Sequence, residues 1–302
     1  MPMSSDDKAR ARVGGASVFV IPVGPMCQPE FVADTIDSIL YFAPLSRVIL
    51  VDDSQRGLAA ELGQRYQLSV IEARVHGVFG NLYLNLSEAF REALAKPFQI
   101  LVRLDTDALI TGSDFEAKAL ELFNEDLQLG LLGSHRMSFN RDGIRSASWA
   151  KHRILEYLAV RSWTRPREKL AITRMLARAH KNGYILGDSV QGGAAVYRFE
   201  AVAALDKHGL LGRTDLAGMG LQEDYIFGMC LYSLGYHLGE FGSRFDDLPM
   251  GVDWRVLPAA PSELMGLGKS IVHSTKRFED MDERAIRDEF RTARRPHRPV
   301  QD

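Results

Sequence analysis

Residues 101–110 read LVRLDTDALI, an apolar run that breaks at Asp105 and Asp107 and then resumes. Buried carboxylates without partners are costly, so two of them at a strand end must be solvated, hydrogen-bonded or holding a cation. At a strand terminus residues i and i+2 point to the same face, which lets both carboxylates address one ligand. Such oxygen donors suit Mg²⁺ or Mn²⁺, hard cations that also bridge to phosphates. The plain alternative is a turn whose aspartates cap a helix or face water.

The segments upstream supply a context. SVFVIPVG (17–24), SRVILVDDSQ (46–55), LSVIEARV (68–75) and FQILVRLDTD (98–107) read as strands. Between them, Phe31, Ile36, Ile39 and Leu40 fall at helical spacing, and GLAAELGQRY (57–66) and LSEAFREALA (86–95) read as helices. Strands alternating with helices imply βαβ units, hence an α/β fold with a mainly parallel central sheet flanked by helices. Ligands of such sheets bind beyond the carboxyl ends of the strands. The polar residues gather there: Val23-Gly24-Pro25, Asp52-Asp53-Ser54 and Asp105-Thr106-Asp107.

Downstream, residues 114–136 read as a helix and a strand, and 141–186 as a basic, mostly helical insertion. Lys151 to Lys181 contains nine Lys or Arg against two Glu. QGGAAVYRFEAVAAL returns to strand and helix, and LQEDYIFGMCLYSLGYHLGEFG reads as a helix followed by a strand. The expected organisation is a disordered tail at 1–15, a single domain at 16–276, and a charged tail of frayed helix and coil at 277–302.

Composition narrows the class. Of 302 residues 46% are apolar and 25% charged, ordinary for a globular chain, and a net charge of -2 gives no global case for nucleic acid. Cys27 and Cys230 lie far apart with no CxxC, which argues against a disulfide scaffold or structural zinc and suits a reducing cytoplasm. No apolar run reaches the ~20 residues of a membrane helix, and the N-terminal stretch lacks the apolar core of a signal peptide. Contact with a membrane surface through the basic insertion stays open.

Four further sites carry candidate chemistry, each with a bland counterpart. Asp53 or Ser54 fits a cap for the helix beginning near Gly57, and a second aspartate there fits a base or ribose contact. Glu223-Asp224 opens a helix, where the dipole favours acids and also keeps a general base ionised. Gly192-Gly193 fits a tight turn, or a place where a ligand approaches the backbone. His273, after a short apolar strand, becomes a ligand only if a cation sits on Asp107, and imidazole with carboxylate favours Mn²⁺ over Mg²⁺.

In order, VFVIPVG, VILVDDSQ, VRLDTDA, QGGAAVYR, LQEDYIFGMCLYSLGYHLGEFG and IVHSTK resemble the glycosyltransferases of the A-type fold, particularly the large inverting family two. The resemblance covers roughly residues 17–276. It implies a nucleotide-binding half at 16–110 and an acceptor half at 111–276, with a nucleoside-diphosphate sugar as donor and Mn²⁺ or Mg²⁺ as cofactor. The acceptor would be a carbohydrate, a lipid-linked or a small molecule. Val23 with Asp52 or Asp53 would hold the nucleobase. Asp105 would contact the ribose or orient the metal, and Asp107 would bind the cation, with His273 completing its shell or touching the diphosphate. Gly192 and Gly193 would floor the sugar pocket. Asp224 would deprotonate the acceptor hydroxyl, with Glu223 positioning sugar or acceptor.

The chain departs from the family pattern at ARVHGVFGN (73–81), where ARN is usual, leaving Arg74, His76 and Asn81 without assigned roles. A haloacid-dehalogenase-type phosphatase shares a strand followed by D-x-D, and GDSVQGG (187–193) resembles its later GDSxxD, but Leu109 and Gly192 stand where that pattern wants other residues. A sugar nucleotidyltransferase would need a G-x-G-T-R loop after the first strand, which PVGPMCQP lacks. A catalytically silent nucleotide-sugar-binding scaffold is the alternative from another class.

Overall fold

The computed structural model describes residues 17–77, 79–135, 148–242 and 247–294. The tail expected at 1–15, residues 141–147 of the expected insertion and residues 295–302 lie outside them.

The central sheet runs β3 (Ser69–Glu72), β2 (Arg47–Asp52), β1 (Val18–Val23), β4 (Ile100–Leu104), β7 (Val190–Arg198), β6 (Leu129–His135), β8 (His237–Glu240). Neighbouring pairs are parallel except those made by β7, which runs antiparallel to both β4 and β6. The expected α/β architecture with a mainly parallel, helix-flanked sheet is therefore the observed one. Pro22, which lacks an N–H, lies where β1 has lost β4, because that pairing is confined to Val18–Val20.

Alternation along the buried strands sends Val18, Val20 and Leu101 to one face, and Phe19, Ile21, Val102 and Leu104 to the other. The first face packs on α3 (Gly80–Leu94), α6 (Pro166–Lys181) and α9 (Glu223–Ser233), which are followed or preceded in the chain by α5 (Ser148–Thr164), α7 (Phe199–Lys207) and α8 (Thr214–Ala217). The second packs on α1 (Pro29–Phe42), α2 (Leu58–Tyr66) and α4 (Phe115–Glu125). In α1, Val32, Ile36 and Ile39 supply the buried stripe, and Pro29 starts the helix where its missing N–H costs nothing.

Three features depart from the sequence reading. LVRLDTDALI is not one interrupted strand: after Asp107 the chain leaves the main sheet, and β5 (Ala108–Ile110) enters a second sheet with β10 (Ile271–His273) and β9 (Met250–Val252). Gly192 and Gly193 lie inside β7 rather than in a turn before it. Residues 277–294, expected to belong to a charged tail at 277–302, form a hairpin of β11 (Arg277–Phe278) and β12 (Met281–Asp282) and then α11 (Glu283–Arg294). α10 (Pro261–Gly266) lies just before this region.

The reason for that last difference is Asp34, a buried carboxylate on α1. It receives Arg287 Nη1 at 3.0 Å and Arg291 Nε at 3.3 Å, and pairs with Arg294. Arg287 is fully buried, and its Nη2 also donates to the Thr106 carbonyl at 2.6 Å. Ile286 and Phe290, one helical turn apart, bury beside it. Charge in this segment marks an internal ion-pair network, not a solvated tail. No helix among the described residues is long and apolar enough to cross a membrane.

Candidate active site

The site forms where β4 ends. Asp105 N donates to the Gly193 carbonyl at 2.8 Å, which ties the D-T-D turn to β7. From the other side, β10 pairs antiparallel with β5 and sets His273 opposite Ala108, next in the chain to Asp107. One ligand atom from each of Asp105, Asp107 and His273 then lies within 4.8 Å of the others. His273 Nε2 stands 3.5 Å from Asp107 Oδ2 and 4.0 Å from Asp105 Oδ2.

These separations are long for direct hydrogen bonds and suit donors arranged around a cation. Octahedral ligands about 2.1 Å from a metal stand about 3 Å apart when adjacent and about 4 Å when opposite. Two carboxylates and an imidazole are also the donor set expected of a Mn²⁺-type site. The residues present therefore fit a divalent metal.

The chain itself supplies part of the positive charge, which the sequence reading did not anticipate. Arg103, a buried residue of β4, places Nη2 at 2.9 Å from Asp105 Oδ1 and 2.7 Å from Glu223 Oε1. Lys276 Nζ lies 3.1 Å from Asp107 Oδ2, and the Ser274 hydroxyl donates to the same oxygen at 2.7 Å. Burial works to raise the Asp107 pKa, but His273, Lys276 and Ser274 together hold it well below the usual carboxylate range. Burial likewise works to lower His273, and Asp107 outweighs it, so the imidazole binds its proton more tightly than usual.

Gly193 is required here. Its φ is +105°, and a Cβ would stand 2.4 Å from the His273 ring, so the imidazole packs flat against bare backbone. Gly192 faces the acid pair: a Cβ there would meet Glu223 Oε1 at 3.8 Å and Asp224 Oδ2 at 4.0 Å, ordinary contacts. Both acids are buried at the first turn of α9. Burial pushes the Glu223 carboxyl up to about 7, against the pull of Arg103. Asp224 Oδ1 accepts the Tyr225 N–H at 2.9 Å. Arg103 thus joins the two acid clusters, one arm of its guanidinium reaching from Asp105 to Glu223.

At the end of β2 the two aspartates divide. Asp52 Oδ1 accepts the Ser54 N–H at 3.0 Å and the Ser54 hydroxyl at 2.5 Å, and Oδ2 accepts the Ala60 N–H at 3.3 Å. The Ser54 oxygen in turn accepts the N–H of Leu58, the first residue of α2, at 3.1 Å. Asp53 instead bonds His76 Nδ1 at 2.6 Å and the Gly77 N–H at 3.3 Å, and its own N–H donates to the Val23 carbonyl at 2.9 Å. His76, left without a role by the sequence, is thereby placed beside Asp53. Asp188, of the GDSVQGG stretch, is held by His135 at 2.9 Å and the Tyr232 hydroxyl at 3.0 Å, not by the D-T-D turn.

No protein-family model and no curated protein matches the chain. Among solved structures it is similar to the mannosyltransferase PcManGT from Pyrobaculum calidifontis in complex with GDP-Man and Mn2+, at 16% identity and a TM-score of 0.44 over 74% of this chain and 54% of that one. It is similar to S. aureus TarS 1–349, also solved with UDP-GlcNAc, at 13% identity and a TM-score of 0.44 over 74% and 57%. CMP:2-keto-3-deoxy-manno-octonic acid synthetase complexed with CTP follows at 14% identity and 0.40, over 75% and 89%. The chain thus spans little more than half the length of the first two. The likeness is one of fold alone.

Proposed function

We propose that this protein is a metal-dependent glycosyltransferase that moves a sugar from a nucleoside-diphosphate sugar to an acceptor hydroxyl, with inversion. One observation carries the reading. A carboxylate–carboxylate–imidazole cluster and a buried acid pair meet across bare glycine backbone, beyond the carboxyl ends of parallel strands.

In this reading Asp105, Asp107 and His273 hold Mn²⁺ or Mg²⁺. The cation, when bound, acts as a Lewis acid on the departing diphosphate. Val23 and Asp53 bind the nucleobase, while Asp52 maintains the loop that presents them. Gly192 and Gly193 leave the sugar room over the acids. Asp224 takes the proton from the acceptor hydroxyl as that oxygen attacks the sugar carbon. Glu223, held by Arg103, orients sugar or acceptor. Residues 16–110 form the nucleotide-binding half and 111–276 the acceptor half.

A thermal-shift panel of UDP, GDP, dTDP and CDP, with and without Mn²⁺, tests the proposal. Metal-dependent stabilisation by a nucleotide is expected, and its loss in Asp107→Ala. A panel without any metal-dependent shift refutes the reading. Binding without sugar transfer or donor hydrolysis would instead point to a silent scaffold.

A further inference from the structure

The helices of the basic insertion take no part in the carboxylate cluster, yet Lys151 to Lys181 carries nine Lys or Arg against two Glu. α6 turns Ile172, Met175 and Ala179 into the core. Its opposite face carries Arg167, Leu170, Arg174, Arg178 and Lys181, all exposed. Steps of three or four residues stack them into a single stripe, about 21 Å long at the helical rise of about 1.5 Å per residue.

The stripe is uncompensated. Glu168 is already paired with Arg165 at 3.0 Å, and Glu156 of α5 with Arg153 at 3.2 Å. Among the described residues, none of the four stripe cations has an ion-pair partner. Apolar side chains are interleaved with this charge. Leu170, between Arg167 and Arg174 near the N-terminal end of the stripe, is 49% exposed, and Ile185 beyond the helix end is 64% exposed. On α5, Trp149, Arg153 and Val160 share one face, with Val160 59% exposed.

That mixture selects among anionic partners. A nucleic acid would satisfy the cations and leave Leu170 in water. An anionic bilayer takes both, since Arg and Lys stems lie along apolar surface while their heads meet phosphate, and leucine gains by leaving water. The position is suited to a role beside the site. α6 packs on α9, whose first turn holds Glu223 and Asp224, and the Trp149 ring centroid lies 5.1 Å from that of Tyr225.

We propose that the Arg167–Lys181 stripe docks this protein on an anionic bilayer surface, with Leu170 entering the boundary between headgroups and acyl chains. Co-sedimentation of the full chain with phosphatidylcholine vesicles, with and without phosphatidylglycerol, tests it. Binding is expected only to the anionic vesicles and is expected to weaken with salt. R167E/R174E/R178E/K181E should lower the partition coefficient about a hundredfold or more. The milder pair R174Q/R178Q should lower it about tenfold and serves if the quadruple variant does not fold. Equal binding to both vesicle types, no binding to either, or undiminished binding by a folded variant would each overturn the proposal. The assay contains no nucleotide or metal, so its outcome is separable from that of the transfer reaction.

Discussion

The ends of β2 and β4 present two acidic turns that look alike in sequence and behave differently in the fold. At β2, the Asp52 carboxylate is satisfied by Ser54 and Ala60, all within eight residues of it. At β4, the Asp107 carboxylate is met by His273, Ser274 and Lys276, more than 160 residues away. A carboxylate whose partners are local maintains its own loop. The partners of Asp107 instead arrive with a distant strand, which gathers Asp105, Asp107 and His273 into one cluster.

The largest effect should come from the acid pair facing the β4 end. Asp224→Asn keeps the shape of the side chain and removes the proposed base, so turnover should fall by about 10²–10⁴ while metal-dependent nucleotide stabilisation persists. Near-normal turnover would remove Asp224 from the mechanism.

A smaller effect should appear in pH dependence. Glu223 has its pKa raised from an ordinary 4.5 to about 7 by burial. Its contribution to stability is therefore complete below the unfolded value and is lost as pH rises through the folded one. Relative to wild type, Glu223→Gln should gain stability between about pH 4.5 and 7, by no more than about 3 kcal/mol. Melting curves across that range would read the difference, and parallel curves for the two proteins would contradict the assignment.

Asp52→Ala should act in the opposite sense from Asp224→Asn. It removes the acceptor for Ser54 and Ala60 and should cost about 1–2 kcal/mol of folding stability. The Mn²⁺-dependent shift with nucleotide should remain. If that shift disappears from a folded Asp52→Ala protein, the division between the two turns fails.

Much of the fold was legible because its causes are local. Apolar strand runs, helical spacing from Phe31 to Leu40 and polar strand ends all lie within short windows, and they return as β1, α1, β2, α2 and β4. The cluster was legible in part: Asp105 and Asp107 by their alternation, His273 and the glycines through the resemblance. Arg103 was not. A lone arginine in a strand gives no signal until Glu223, 120 residues away, is brought within 2.7 Å. Residues 277–294 misled for a related reason. Their charge reads as solvation, and only the packing of α11 on α1 reveals Asp34 as the partner of three arginines. The spacing of Ile286 and Phe290 was the available signal for a packed helix there.

The sequence by itself determined that this chain alternates strands and helices and gathers its carboxylates at strand ends. These depend on residue periodicity, which propagates over a few positions. Tertiary structure alone decided which carboxylates gather in one cluster and which are bonded within their own loops. That choice rests on β7 entering antiparallel beside β4 and on β10 returning to β5. Such pairings join residues ninety or more positions apart, and no local pattern encodes the atom that stands across from a side chain.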